Sequence, residues 1–146
     1  MLGQSALYRA VVGRSGGAGG IFTGGSATHQ AELHISGSVI TDNTSEATSG
    51  GIRSSSSRIE IDDSTIAGNT ADYACGGLFV EGSIGDIDGT TISNNTVLNT
   101  VDLGTGGGLC VSDSTTTITN STISGNVVLG PSTGQSYSGR GGGISL

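Results

Sequence analysis

Four carboxylates are spaced so that they could act together on a ligand or a substrate. Glu60 and Asp62 are followed, 26 residues later, by Asp86 and Asp88. If the chain repeats with that period, these four side chains occupy two neighbouring columns on one outward face. Ca²⁺ takes about six to eight oxygen ligands in proteins, so such a face fits a calcium site. Two other interpretations fit the same carboxylates: a pair for glycoside hydrolysis, and a solvated acidic face with no ligand.

Composition limits the classes of partner and reaction. The chain carries a net charge of −7 with only five Lys and Arg residues, so we do not expect it to bind nucleic acid. It has no apolar run long enough to span a bilayer. Tryptophan is absent from the chain. We therefore assign no catalytic residue, and Ca²⁺ is the only cofactor that the pattern suggests.

The 26-residue spacing belongs to a repeat that runs through most of the chain. Each turn of the repeat holds two isoleucines five residues apart, with an asparagine three residues after the second. The pairs are Ile35 and Ile40, Ile61 and Ile66, Ile87 and Ile92, and Ile118 and Ile123. A period of about 20–50 residues indicates a solenoid.

The residue types within each turn decide which solenoid this is. Segments such as 33–35 and 59–61 alternate apolar and polar residues, which is typical of strands and not of helices. We predict an all-β, right-handed single-stranded parallel β-helix with three strands per coil, four coils and an incomplete fifth. Coils are expected to start near residues 19, 50, 76, 107 and 142. Residues 1–18 are either an N-terminal cap or the remnant of an earlier coil.

Asparagines and glycines mark the expected corners of the coils. The asparagines are predicted to stack as a structural ladder, to tolerate left-handed backbone geometry and to bond from coil to coil; they are Asn43, Asn69, Asn95 and Asn126. Gly-Gly pairs end at Gly51, Gly77 and Gly108. We expect these pairs to supply positive φ angles where the chain enters the next strand.

Two turns resemble a family. GGIRSSSSRIEIDDSTIAGNT (50–70) and GGLCVSDSTTTITNSTISGNV (107–127) are similar to the Gly-Gly-Ile and Asn-Ser-Thr-Ile-Ser-Gly-Asn repeats of bacterial right-handed β-helix surface proteins. These include polymorphic outer-membrane proteins and autotransporter-like passengers with a pectin-lyase-like fold. The resemblance implies an extracellular or cell-surface location, although no secretory signal is visible in the chain. Related β-helices also carry polysaccharide lyases and hydrolases.

The two cysteines are expected to be free thiols. Cys75 precedes a Gly-Gly corner, and Cys110 should share an outward column with Phe79. Cys75 and Phe79 are four residues apart, which is about 13 Å in an extended chain. Because Cys110 is expected beside Phe79, this separation exceeds the limit of about 7 Å between the Cα atoms of a disulfide.

Candidate binding residues lie on one outward face and in one long loop. The face is expected to hold Phe22, Arg53, Phe79 and Cys110, of which Arg53 and Phe79 are the candidate binding residues. Tyr137 and Arg140 fall in the insertion between residues 127 and 142. Repeat proteins often gather insertions on their binding face. We predict a structural or adhesive segment that binds a glycan or a protein surface. The alternative is part of a polysaccharide-active enzyme, and a third reading is an ice-binding face of Thr-x-Ser/Thr pairs.

The last five residues match the opening strand of a coil. Residues 142–146 read Gly-Gly-Ile-Ser-Leu, as residues 107–111 read Gly-Gly-Leu-Cys-Val. An unfinished coil leaves strand groups of the preceding turn unpaired. We therefore expect a truncated array that associates end to end or frays over its last coil.

Overall fold

The computed structural model describes residues 7–8, 17–26, 28–98, 106–130 and 141–146, and every regular element among them is a β-strand. In chain order, the first strand is β1 (Leu7–Tyr8), and the first coil follows with β2 (Ile21–Gly24), β3 (Ala31–Ser36), β4 (Val39–Thr41) and β5 (Thr44–Ser45). The second coil holds β6 (Ile52–Ser55), β7 (Ser57–Asp62), β8 (Thr65–Ala67) and β9 (Thr70–Ala71). The third holds β10 (Leu78–Glu81), β11 (Ile84–Asp88), β12 (Thr91–Ser93) and β13 (Thr96–Val97). The fourth holds β14 (Leu109–Ser112), β15 (Thr115–Thr119), β16 (Thr122–Ser124) and β17 (Val127–Val128), and β18 (Ile144–Ser145) comes last.

Each strand pairs in parallel with its equivalents in the neighbouring coils, which builds four sheets. Sheet I contains β2, β6, β10, β14 and β18, and sheet II contains β3, β7, β11 and β15. Sheet III contains β1, β4, β8, β12 and β16, and sheet IV contains β5, β9, β13 and β17. This arrangement confirms the predicted all-β parallel β-helix. Within the described residues, no helix is long and apolar enough to cross a membrane.

The prediction of three strands per coil is wrong, because every coil has a fourth. The strands of sheet IV are only two residues long, for example Thr44–Ser45 and Thr70–Ala71. Two residues cannot show the alternation of polar and apolar side chains from which a strand is recognised in a sequence. The strands of sheet IV are therefore recognised from their backbone pairing in the structure and not from a pattern in the sequence.

The two ends of the described chain join existing sheets. Leu7 and Tyr8 pair with Val39 and Ile40 in sheet III. A remnant coil would make this pairing, but most of residues 1–18 lie outside the described ranges and their assignment stays a prediction. At the other end, β18 pairs with β14. End-to-end association likewise stays a prediction.

Two columns of isoleucine form the core together with inward residues of sheet I such as Ile52, Leu78 and Leu109. Ile35, Ile61, Ile87 and Ile118 are in register across sheet II, and Ile40, Ile66, Ile92 and Ile123 across sheet III. Each fully buried isoleucine contributes about 1.5–3 kcal/mol to stability. Ile118 differs from the other members of its column, with 37% of its surface exposed. The described residues place no strand on the far side of β15.

Three of the four corners share one backbone design. A residue with φ between +47° and +65° comes first, and a polar residue follows it. The positive-φ residues before the asparagines are Asp42, Gly68, Asn94 and Gly125. Those before Ser38, Ser64, Thr90 and Ser121 are Gly37, Asp63, Gly89 and Asn120, and those before Ser57, Ser83 and Ser114 are Ser56, Gly82 and Asp113. Glycine, asparagine and aspartate tolerate this left-handed region best. The expectation that the ladder asparagines themselves adopt it is wrong.

The asparagine column is a continuous hydrogen-bonded ladder. Asn69 Oδ1 accepts the backbone N–H of Asn43 at 3.1 Å and the side-chain amide of Asn43 at 2.9 Å. The side-chain amide of Asn69 donates to Asn95 Oδ1 at 2.9 Å and to the carbonyl of Ile40 at 3.0 Å. Asn95 and Asn126 repeat the pattern. The ladder satisfies corner groups that no strand can pair, which is required because Asn43, Asn69 and Asn95 are fully buried.

Hydroxyl ladders occupy the other two corners of this design. The backbone N–H of Ser38 donates to Ser64 Oγ at 3.1 Å, and Ser64 Oγ donates in turn to the carbonyl of Asp62 at 2.7 Å. In the third corner the N–H of Ser57 donates to Ser83 Oγ at 3.1 Å. Each of these three corners therefore links neighbouring coils through a side-chain oxygen that accepts a backbone N–H.

The Gly-Gly pairs form the fourth corner for a steric reason. None of these glycines has a positive φ, so the expected role is wrong. A β-carbon at Gly51 would lie 2.5 Å from the carbonyl oxygen of Gly77 and 3.1 Å from Asn69 Nδ2. Only glycine lets successive coils pass this close together beside the asparagine ladder.

The expectation of two free thiols is also wrong, because Cys75 and Cys110 form a disulfide with Cα atoms 6.0 Å apart. Cys75 bridges Gly106 of the next coil, and the chain turns sharply between Gly106 and Cys110. A β-carbon at Gly106 would lie only 2.9 Å from Cys110 Sγ. The assumption of extended chain across this corner overestimated the separation. Closing a 35-residue loop stabilises the fold by about 3–4 kcal/mol in the chain-entropy treatment.

Replacing Asn69 with alanine tests the asparagine ladder. Asn69→Ala removes the acceptor of two Asn43 groups, its backbone N–H and its side-chain amide. It also removes the donor to the carbonyl of Ile40 and to Asn95 Oδ1. We expect a loss of about 3 kcal/mol or more in the free energy of unfolding, measured with urea. The matched control is Ser93→Ala, because Ala67 already stands at the equivalent position one coil away. Equal losses in the two variants would contradict the structural role of the ladder.

Candidate functional site

The outward side of sheet II carries the predicted acidic columns. The structure places Asp86 next to Glu60, and Asp88 next to Asp62. His34 lies on the other side of Glu60, one coil earlier. Because inward residues of the same strands are anchored in the isoleucine core, the register of these polar side chains is set by the backbone.

His34 draws two of the four predicted carboxylates together. Its Nδ1 lies 3.2 Å from Glu60 Oε2, and its Nε2 lies 3.5 Å from Asp62 Oδ2. One donor atom from each of the three side chains lies within 4.8 Å of the others, the one such group among the described residues. Sequence reasoning missed His34, although it stands 26 residues before Glu60 and so shares its column. Asp86 and Asp88 are not part of this group.

Asp88 is occupied by donors from the next coil. Thr119 Oγ1 donates to Asp88 Oδ1 at 2.7 Å, and Asn120 Nδ2 donates to the same oxygen at 2.8 Å. These bonds, helped by the backbone N–H of Gly89, lower the pKa of Asp88. The pKa of Asp62 is shifted in the opposite direction. Loss of hydration raises its pKa, the charge of Glu60 adds to the rise, and His34 opposes it. The two carboxylates of one column therefore differ in environment.

A second candidate region lies on the outward side of sheet I, where Phe22, Arg53 and Phe79 are in register. The Arg53 Cζ atom is 5.8 Å from the ring centroid of each phenylalanine. Its Nη2 donates to Glu81 Oε2 at 2.6 Å. Phe22 is 56% exposed. We call Phe22, Arg53, Phe79 and Glu81 the arginine–aromatic face.

The structure brings the predicted residues Arg53 and Phe79 into this face. Tyr137 and Arg140 lie outside the described residues, and their assignment as binding residues stays a prediction. Phe22 lies on the same face, as the predicted outward column of Phe22, Arg53, Phe79 and Cys110 placed it.

A polar groove begins beside the arginine–aromatic face. It has a volume of about 430 Å³ and is lined by Ser26, Thr28, Gln30, Ser56 and Gly82. One wall is the insertion of the first coil, closed by hydrogen bonds between the backbones of Ser26 and His29 at 2.8 and 3.2 Å. Sequence reasoning identified the insertion but not the groove, because the opposite wall comes from corners of later coils.

The arginine–aromatic face and the groove adjoin at Gly24. A β-carbon there would lie 2.8 Å from Cζ of Phe22, so the phenyl ring covers this glycine. Gly25 and Ser26 follow directly. The exposed ring of Phe22 therefore lies over Gly24, two residues before Ser26, which lines the groove.

The predicted Thr-x-Ser/Thr face lies on sheet III and is uneven. Val39, Thr65, Thr91 and Thr122 form one column, and Thr41, Ala67, Ser93 and Ser124 form the other. Valine and alanine interrupt the hydroxyl array. Ice binding by this face stays a prediction.

The hydrogen bonds at Asp88 predict a measurable pKa change. Thr119→Val with Asn120→Gly removes both side-chain donors, and glycine keeps the positive φ of residue 120. The pKa of Asp88 should then rise towards its ordinary value, as followed by carboxyl NMR during a pH titration. In the wild type this interaction stabilises the fold above the unfolded-state pKa, and the contribution is lost as the pH falls through the lower folded-state pKa.

Thr117→Val is the matched control, since Thr117 pairs with Asp86 in the adjacent column. It should leave the pKa of Asp88 unchanged. An unchanged Asp88 pKa in the double variant would show that these donors do not hold the carboxylate in solution.

Comparison with known proteins identifies the fold family. A family model described as a right-handed β-helix region matches residues 9–146. No curated protein and no solved structure matches the chain. With almost the whole chain covered, the protein belongs to the right-handed β-helix family, as its coils of parallel strands also indicate.

Proposed function

We propose that this chain is a structural and adhesive segment of an extracellular or cell-surface protein. The observation that carries the proposal is the exposed phenyl ring of Phe22, which lies over Gly24 close in sequence to the groove and has Arg53 and Phe79 beside it. Aromatic and arginine side chains dominate the energetics of protein contact surfaces. A rigid solenoid that presents them on a flat sheet suits attachment to another surface.

The disulfide supports the extracellular part of the proposal. Cys75 and Cys110 are almost completely buried, with 0% and 3% of their surfaces exposed. Disulfides persist in oxidising surroundings such as the cell exterior and are rare in the cytosol of most organisms. The similarity of the repeats to bacterial β-helix surface proteins supports the same location.

The groove favours an oligosaccharide as the ligand. Ser26, Thr28 and Ser56 offer hydroxyl groups and Gln30 offers an amide, and no charged side chain is found among the described lining residues. Such groups can donate and accept hydrogen bonds with sugar hydroxyls. The face of Phe22 provides the apolar surface against which a sugar ring can pack.

Binding to a panel of neutral and acidic polysaccharides tests this function. Phe22→Thr should weaken the binding of a recognised glycan about tenfold or more, because the aromatic contact is lost. The matched control is Val39→Thr, which removes an exposed apolar residue on sheet III and copies Thr65 of the next coil. The control should bind as the wild type does.

Three outcomes would count against the proposal. Equal losses in both variants would place the ligand elsewhere, and no binding to any glycan or cell surface would contradict an adhesive role. Release of new reducing or unsaturated chain ends would instead support the polysaccharide-active alternative.

A further inference from the structure

The group formed by His34, Glu60 and Asp62 lies on a different sheet from the proposed glycan site. His34 is on β3, and Glu60 and Asp62 are on β7, two residues apart and so on one face. The alternate residues of β7, Ile59 and Ile61, are buried in the core at 1% and 0% exposure. Sites on strands held in this way are positioned more accurately than sites on loops.

The donor atoms are close enough together to share one ion. His34 Nδ1 lies 3.2 Å from Glu60 Oε2, and His34 Nε2 lies 3.5 Å from Asp62 Oδ2, so each carboxylate faces a different ring nitrogen. Zn²⁺ bonds of about 2.0–2.2 Å in tetrahedral geometry place two ligand atoms roughly 3.3–3.6 Å apart. One ligand atom from each side chain lies within 4.8 Å of the others. Because an ion binds only one ring nitrogen of His34, rotation of the partly exposed side chains must bring both carboxylates to that nitrogen.

We propose that His34, Glu60 and Asp62 form a site for a divalent transition-metal ion, with Zn²⁺ as the best match. One imidazole nitrogen and two carboxylate oxygens make a ligand set that Zn²⁺ accepts, and a water molecule takes the open position. Ca²⁺ prefers oxygen ligands alone, and more of them. The imidazole therefore shifts the preference of this face away from the calcium expected from its carboxylates.

The neighbouring carboxylates divide into two kinds. Asp86 lies next to Glu60 in the adjacent strand and adds negative charge that attracts a cation. Asp88 is bonded to Thr119 and Asn120 and is not needed as a ligand. The competing account is that His34 only pairs with the two carboxylates and that no ion binds.

Calorimetric titration of the tag-free protein with ZnCl₂ and with CaCl₂ near neutral pH tests the site. Zn²⁺ should bind with one ion per chain and more tightly than Ca²⁺. His34→Thr and Glu60→Gln should each weaken Zn²⁺ binding about tenfold or more. The chain has two histidines, so His29→Gln is the matched histidine control. Glu46→Gln, an exposed carboxylate that follows β5 of sheet IV, is the matched charge control. Both controls should bind Zn²⁺ as the wild type does.

Imidazole NMR gives a second readout that does not depend on how well the variants fold. In the wild type, Zn²⁺ should shift the ring resonances of His34 and leave those of His29 in place. Absence of Zn²⁺ binding would overturn the proposal. So would equal weakening by the control variants, tighter binding of Ca²⁺ than of Zn²⁺, or a shift of His29 alone.

Discussion

The hydrogen bond on which this fold depends joins a corner N–H to a side-chain oxygen one coil away. Strand residues pair through their backbones, but a chain that turns four times in each coil leaves corner amides that no strand can reach. Burying such a group without a partner costs about 1–3 kcal/mol. Asparagine and hydroxyl side chains solve this at three corners, with bonds such as Asn69 N–H to Asn95 Oδ1 at 2.9 Å. Because each bond spans neighbouring coils, the solution works only if the same residue type recurs in register.

That register also determines where chemistry can occur on the surface. Once Ile35 is stacked on Ile61, His34 must stand beside Glu60 and cannot slip by one residue without turning inward. The same logic places Arg53 between two phenylalanines on sheet I. Both regions consist of residues far apart in sequence that a parallel ladder brings to neighbouring positions. The glycan and metal proposals thus rest on separate faces of one scaffold.

The columns in which the same large side chain recurs from coil to coil could be predicted from the sequence. The isoleucine pairs and the asparagines recur so regularly that the parallel β-helix and its main columns follow from their spacing. Short or single features could not be predicted. The strands of sheet IV have two residues each, and the positive-φ residues change identity from Asp42 to Gly68 between coils. The disulfide depends on the path of one sharp corner, and extended-chain distances do not describe it. His34 was in the right column, yet a lone histidine next to acids one coil away gives no local motif.

Hydrogen exchange of the corner amides tests the central claim most directly. We predict that the backbone N–H groups of Asn43, Asn69 and Asn95, which donate to side-chain oxygens, exchange as slowly as the strand amides of Ile66 and Ile92. The corner amides and the strand amides should both exchange only when whole coils unfold. Fast exchange at the asparagines, with slow exchange in the strands, would mean that the corners are not joined by these bonds.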